Sequence, residues 1–515
     1  MPLVRLTSIR VEARFDGVNW TSLHADMTAG ERFTWRRGMG GGGPLDNVAT
    51  TGTLEFGLKN FVEAGSVRPE GYYSPNHANV RGGWNFGLAV RVVGTYGGTD
   101  YVLWRGTVRS IEPVPGKYGQ RTVRVQATDF MDDLANTEVR SVAPQIDQTE
   151  VQCLQAVIAA MPTDAQPPAT SYDDALETFP YALDNVSGGV LGMTAVVDVI
   201  DSCQGTAFVQ ADGTFRYTNR HTRATAVSDF TFDETMLDRD GGIAVPSDLA
   251  NVFNEVSAVA HPKTTAAAIV LCGITGAQYV GPGETIELFL DYTDPTTDDK
   301  LIGGTGFTDP LVENTDYDAR ANADGTGADL SANLTVTVDP FAASAKFTVT
   351  NNGAVGAYLV NGSGTPLLQL RGTGIYDNAP ETRRSTSVQS YGVRRLDVDL
   401  KYQTSGAFAS DAAVFIRSQY DDLDDQVEQI AYDPQKSDAL MLEALTVEIG
   451  DVKTVSETMT GTDDVEVIVQ AVEYEVTKGD YLHVRYVTAP VGPFKFWQLG
   501  IVGASELGVS TTLGF

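Results

Sequence analysis

A chain of 515 residues with 42% hydrophobic side chains is long enough for about three or four domains and apolar enough to bury ordinary cores, which excludes wholesale disorder. Acids outnumber bases 67 to 36, a formal net charge of −31. That argues against a surface built to grip nucleic acid, because neutralising phosphates takes clustered Lys and Arg.

The opening MPLVRLTSIRVEARF carries no apolar signal-peptide core, and no run of about 18 apolar residues occurs, so the expectation is a protein made in a cytosol and not spanning a membrane. The first element reads as a strand. Ile9, Val11, Ala13 and Phe15 alternate with Arg10, Glu12, Arg14 and Asp16, the pattern of a half-buried antiparallel strand that ends at Asp16-Gly17.

Next comes TWRRGMGGGGPLDNV, residues 34–48, which formally satisfies G-x-G-x-x-G from Gly38 to Gly43. A dinucleotide loop needs a buried strand before the first glycine and a helix after the last, so that the helix N-terminus meets the pyrophosphate. Here a half-polar run precedes, Pro44 follows without helical periodicity, and no Gly-Lys-Ser/Thr closes a P-loop. The glycines therefore read as a connection between strands with little intrinsic shape, suited to being ordered by a neighbouring subunit or another partner. Period-two patterning returns in Leu54, Phe56 and Leu58, between Val102 and Ile111 with Gly106 as a bulge or corner, and in Val123, Val125 and Ala127. This first stretch reads as an all-β barrel or sandwich.

The period then changes to 3.6. Thr149 and Gln152 make a capping box, and Val151, Leu154, Ile158 and Met161 share a helical face. A second helix from about Gly192 turns Met193, Val196, Val197, Ile200 and Cys203 inward and leads into the hairpin AFVQ-ADG-TFRYT, turning at Asp212-Gly213. After Asn251 the β pattern resumes, then breaks into short strand-like pieces with Asn and Gly turns, the pattern of an immunoglobulin-like sandwich. SVQSYGVRRLDVDL, one helix from about Ala407 to Asp421 and further strands complete the chain. The expected fold class is mainly β with a small α+β unit: a first β-barrel at 1–138, an α+β domain at 139–227, a second β-barrel at 228–263 and 381–515, and a β-sandwich at 264–380 inserted at a strand connection.

No motif assigns catalytic, cofactor-binding or metal residues. Cys153, Cys203 and Cys272, an odd count among apolar neighbours, read as reduced core residues. His24, His77, His221, His261 and His483 form no i,i+4 pair and have no Cys partner, so a zinc site has little to build on. No GxSxG elbow surrounds a serine. Asp291, Asp294, Asp298 and Asp299, with Asn322, Asp324 and Asp329, offer oxygen ligands for calcium but miss the EF-hand order and its closing Glu; solvated turn carboxylates are the favoured reading. The DDLDD run at 421–425 invites a glycosidase reading but is most simply the solvated tail of a helix. Tyr72, Tyr73 and Trp84 could stack on sugars, or pack a loop onto the first barrel, which is the reading preferred here.

In order, RVEARFDGVNW, LEFGLKN with YYSPNHANVRGGWNFGLAVRVV, YVLWRGTVRSIEP with RTVRVQATDFMDDLAN, GMTAVVDVIDSCQGTAFVQADGTFRYTNR, SYGVRRLDVDL and SELGVSTTLGF resemble the tail-hub (minor tail or tail-tip) proteins of long-tailed bacteriophages, similar in fold to baseplate central hubs. The resemblance implies a structural virion protein of the tail tip, assembled in the host cytoplasm, with no enzyme activity and no cofactor. It implies a homotrimeric ring in which two barrels per chain surround a channel that DNA passes without being bound. The implied partners are a distal tail or tail tube protein, the tape measure protein and tip or receptor-binding proteins; the insert is a candidate for a host-surface glycan and host attachment, or for decoration and assembly contacts. The rival reading is a tail-associated cell-wall (peptidoglycan or glycan) hydrolase, against which the missing nucleophile and metal motifs count. The acidity suits a channel, since acidic walls let DNA slide where basic walls would hold it.

Overall fold

The computed structural model describes residues 3–28, 33–62, 68–116, 121–139, 142, 144–183, 189–238, 241–246, 248–266, 269–293, 301–341, 343–387, 392–421, 427–477 and 480–491, with the backbone of 495–496 and 511–512. Among these, no helix is long and apolar enough to cross a membrane.

Thirteen strands make one sheet. Seven come early: β1 (Ser8–Ala13), β2 (Thr21–Ser22), β3 (Phe33–Gly38), β4 (Thr50–Lys59), β5 (Ala89–Tyr96), β6 (Thr99–Val114) and β7 (Thr122–Thr128). Six come later: β8 (Ser228–Asp233), β9 (Ile243–Ala244), β10 (Gln429–Tyr432), β11 (Val452–Glu457), β12 (Thr462–Thr477) and β13 (Tyr481–Pro490). The order is β9-β10-β13-β12-β3-β4-β7-β6-β5-β1-β2, with β11 paired to β12 and β8 to β11.

The long strand β12 joins the two sets. β13 runs along one edge, while β11 and β3 share the other, β11 against 462–468 and β3 against 471–476. Its apolar alternation explains how one strand serves both. Val465, Val467 and Val469 are buried, then the phase slips so that Val472 and Tyr474 are buried, and the register shift against β13 falls between Val469 and Ala471. One extra residue lets the strand turn from one packing partner to the next. The inner side is correspondingly one hydrophobic cluster, in which Ile9, Leu54 and Trp104 share a core with Phe232, Tyr432 and Tyr486. Trp35 of β3 stacks on Tyr474 of β12 at 4.8 Å and 15°. Such a pair adds about 0.5–1.5 kcal/mol beyond its burial.

A second core lies beside the sheet. Helices α1 (Phe130–Asn136), α2 (Glu150–Ala159) and α3 (Gly192–Cys203) pack with the hairpin Thr206–Val209/Phe215–Thr218, followed by α4 (Arg220–Thr225). The capping box at Thr149 and Gln152 is present, and Gly213 takes φ 91° in the hairpin turn, a conformation that favours glycine. Outside the large sheet, Glu255–Ala260 pairs with Glu381–Thr386 and Arg395–Leu400 beneath α5 (Gly406–Tyr420), around Val256, Ala258, Val398 and Ala412. A last helix, α6 (Asp438–Thr446), sends Leu440, Met441 and Leu445 into the large core. In the 264–380 stretch, one sheet built on Gln369–Asp377 and another built on Ser344–Asn351 share a core containing Leu271, Tyr292, Phe347 and Leu370.

The expected bulge at Gly106 needs correction. Gly106 pairs regularly with Val90, and the register shifts lie opposite Val92/Val93 and between Val108 and Ser110. Glycine is required there because a Cβ would collide with the Thr128 carbonyl oxygen and the Trp104 ring.

Candidate functional site

The solvent face of the sheet is polar across both strand sets. Because the ladder is antiparallel with one face in the core, alternate residues must face outward. The register places them in rows. One row runs His483, Glu475, Thr34, Glu55, Gln126, Ser110; the next runs Ala431, Arg485, Glu473, Arg36, Thr53, Thr128, Thr107. Each row crosses the β3–β12 joint without a break. Arg36 Nε pairs with Glu473 at 3.0 Å, Arg485 lies 3.6 Å from the same carboxylate, and Gln126 donates to Glu55 at 3.0 Å. At the joint the face is concave, a groove of about 460 Å³ lined by Arg36, Glu55, Glu473, Glu475, His483 and Arg485 among others.

The joint is pinned from the core side. Arg37, 2% exposed, donates to Glu448 at 2.5 Å and to the Val447 carbonyl at 2.6 Å. Burial opposes its charge, and Glu448, Tyr474 and Asp451 more than offset that, holding the guanidinium pKa above its ordinary value.

The glycine run lies at the edge of this joint and is ordered by its own chain. Gly38 takes φ 115° against Gln470 and Ala471 of β12, and Gly42 lies so close to the Thr488 carbonyl of β13 that a Cβ would collide with it. Asp46 accepts from Gly43 N at 2.9 Å, and Tyr420 of α5 donates to the Gly42 carbonyl at 3.0 Å. Within the chain, these glycines permit close backbone approach between the two strand sets.

No family model and no curated protein matches the chain. Solved structures do. The 43 kDa tail protein of prophage MuSo2 from Shewanella oneidensis superposes with a TM-score of 0.50 at 11% identity, covering 94% of this chain and 99% of that one. The chain has the fold of phage tail proteins. A tail protein from Neisseria meningitidis MC58 is matched at 10% identity and a TM-score of 0.48, covering 93% of this chain and 96% of that one. A prophage tail protein from Listeria monocytogenes EGD-e is matched at 10% and 0.41, covering 93% and 94%.

Within this tail-protein fold, the residues singled out from the sequence take structural places. Tyr73 and Trp84 are buried, the Trp84 indole donating to the Tyr73 carbonyl at 2.9 Å, and Tyr72 packs on the same core. The three cysteines are free and buried, and burial pushes each thiol up to about 12. Asp324 accepts from Thr326 N at 2.9 Å, and Asp329 accepts from Ser331 N at 3.0 Å, so both serve their own turns. Asp291 ends a strand; Asp294, Asp298 and Asp299 lie outside the described residues, as does the DDLDD run after Asp421.

One grouping was not visible in the sequence. The Leu237–Tyr432 bridge and the β10–β13 ladder bring Asp238, Asp433 and His483 together, with ligand atoms within 4.8 Å of one another. His483 Nδ1 lies 2.6 Å from Asp433 Oδ1, and the Lys436 ammonium, held by the Met236 and Leu237 carbonyls, lies 3.4 Å from Asp238. Burial and the Asp433 charge raise the Asp238 carboxyl above its ordinary value, against Lys436. The lysine already supplies a cation at this cluster.

Proposed function

We propose that the chain is a structural subunit of a phage tail: a homotrimeric hub at the distal end that connects the tail tube or distal tail protein to the tip and forms part of the DNA channel. The observation that carries this reading is the unbroken polar face across the β3–β12 joint. Three copies in a ring would set six strand sets around an axis, and this face, with Glu55, Glu473 and Glu475 in its rows, is the one proposed to look inward. Arg36 and Arg485 offset Glu473, and the remaining carboxylates in these rows, Glu55 and Glu475, repel the DNA backbone and leave it free to slide. In this reading 1–138 and 228–263 with 381–515 act as the two tube-forming barrels, 139–227 packs outside them, and 264–380 supplies outer contacts, host attachment included.

The reading is non-enzymatic. Sedimentation of the purified chain tests the assembly: it predicts a mass of three chains and ring-shaped particles in electron micrographs. A monomer with no ring, alone or in virions, contradicts it. Loss of turbidity from purified cell walls would instead favour the hydrolase.

A further inference from the structure

The outer face of β1, β5 and β6 carries a cationic cluster on an otherwise acidic chain. Trp20 folds back over it, with the guanidinium carbons of Arg14, Arg91 and Arg105 at 4.4, 4.5 and 5.6 Å from its ring. Arg91 and Arg105 are direct cross-strand neighbours, an arrangement that costs stability for like charges. Glu12 is taken by Arg91 at 2.7 Å and Arg10 at 2.7 Å, and Asp100 by Arg10 at 2.6 Å. Arg14 and Arg105 have no ion-pair partner among the described residues; Arg14 Nε is buried without an acceptor, and Arg105 reaches only the Asp212 carbonyl, at 3.3 Å. Burial, then repulsion from Arg14 and Arg91, lowers the Arg105 pKa, with the Asp212 charge opposing.

The converse feature sits in the other strand set. The β11–β12 turn holds Met459 91% exposed, beside exposed Asp463, Asp464 and Glu234. The tip is built rather than loose: Glu457 accepts from Met459 N at 3.1 Å and from Thr460 N at 2.7 Å. Asp463 has no hydrogen-bond or ion-pair partner among the described residues. Measured along the sheet, β12 and β1 are six strand steps apart, on the order of 29 Å at the usual spacing.

We propose that the turn at 456–464 of one copy docks on the Trp20 face of the next, Met459 against the indole and the carboxylates against Arg14 and Arg105. The occupant is a second copy because the two surfaces are complementary in charge: Arg14 and Arg105 lack an ion-pair partner among the described residues, and of the carboxylates at the tip Asp463 has none, while Ser456 and Thr458 donate to Asp464 and Glu234. A thioether on an aromatic face and guanidinium–carboxylate pairs are each favourable contacts. A contact between different patches is head-to-tail, and such contacts generate rings when the rotation closes. The inference rests on the trimeric reading and gives it an interface.

Cysteine pairing tests it. Val18 is 72% exposed, two residues from Trp20, and the native cysteines are buried. The double variant Val18→Cys, Met459→Cys should give disulfide-linked dimers and trimers under mild oxidation, with neither single variant doing so. In parallel, Arg14→Gln with Arg105→Gln should weaken assembly about tenfold and flatten its salt dependence. Rings of the double-cysteine variant without any cross-link, or rings equally stable in the Gln variant, would overturn the docking and leave the hub reading standing. A wild-type chain that stays monomeric overturns both.

Discussion

Arg37 of β3 places its guanidinium 2.5 Å from Glu448, beyond the end of α6, so a strand near the start of the chain is pinned to a turn more than four hundred residues later. With the Trp35–Tyr474 stack beside it, this contact makes the two strand sets a single packed body.

Arg37→Met should therefore cost about 3 kcal/mol, because it leaves Glu448 and the Val447 carbonyl without their buried donor. Urea unfolding monitored by tryptophan fluorescence and by far-UV circular dichroism checks it. Wild type should show both sheet sets melting together, and the variant should lower the shared midpoint.

Lys453 is fully buried and lies 2.7 Å from Asp229 and 2.8 Å from Glu443, which in turn accepts from Tyr486 at 3.1 Å. Replacing only the lysine with Met leaves a buried carboxylate uncompensated, an expected loss of about 3–5 kcal/mol. Adding Glu443→Gln should recover part of it, and the coupling read from the double-mutant cycle should exceed 1 kcal/mol, about the upper limit for exposed pairs.

The glycine run makes a sharp contrast between neighbours. Gly42→Ala drives a Cβ into the Thr488 carbonyl, and Gly38→Ala adds a positive φ to a collision with Gln470. Each should destabilise by about 1–3 kcal/mol. Gly40→Ala meets Thr50 Cγ2 at 3.4 Å and Asp46 Oδ1 at 3.8 Å, both ordinary contacts, and should stay within about 0.5 kcal/mol of wild type in the same melt.

Asp129 caps α1, accepting from Met131 N at 3.1 Å and Gly52 N at 2.9 Å, yet its complete burial pushes the carboxyl up to about 7. A folded pKa above the unfolded one favours folding fully at low pH, and that contribution is lost as pH rises from about 4 through 7. The loss amounts to about 4 kcal/mol at most. Asp129→Asn keeps an acceptor oxygen and removes the titration, so its stability relative to wild type should rise across that window. Parallel curves for the two proteins would contradict the assignment.

Much of this architecture was legible because local signals agreed with the final packing. Thr149 and Gln152 announced a helix start, Asp212-Gly213 a hairpin, and the alternation from Ile9 to Ala13 a half-buried strand. Helices α1, α4 and α6 carry no such signal, being 7, 6 and 9 residues long, too short for a full apolar stripe, although Asp129, Asn219 and Ser437 all cap in place. The candidate face was legible only in pieces. The phase slip around Gln470 is written in the valines of β12, but that β12 meets β3 is a pairing across more than four hundred residues, and no local pattern encodes it. The same holds for His483 beside Asp433 and Asp238, which only the ladder brings together.

The most direct measurement is a reconstruction of the assembled particle by electron cryomicroscopy. The account predicts threefold symmetry and a central channel whose wall carries the Glu475–Thr34–Glu55 and Glu473–Arg36 rows. A particle without threefold symmetry, or a channel wall formed by another face of the sheet, would contradict it.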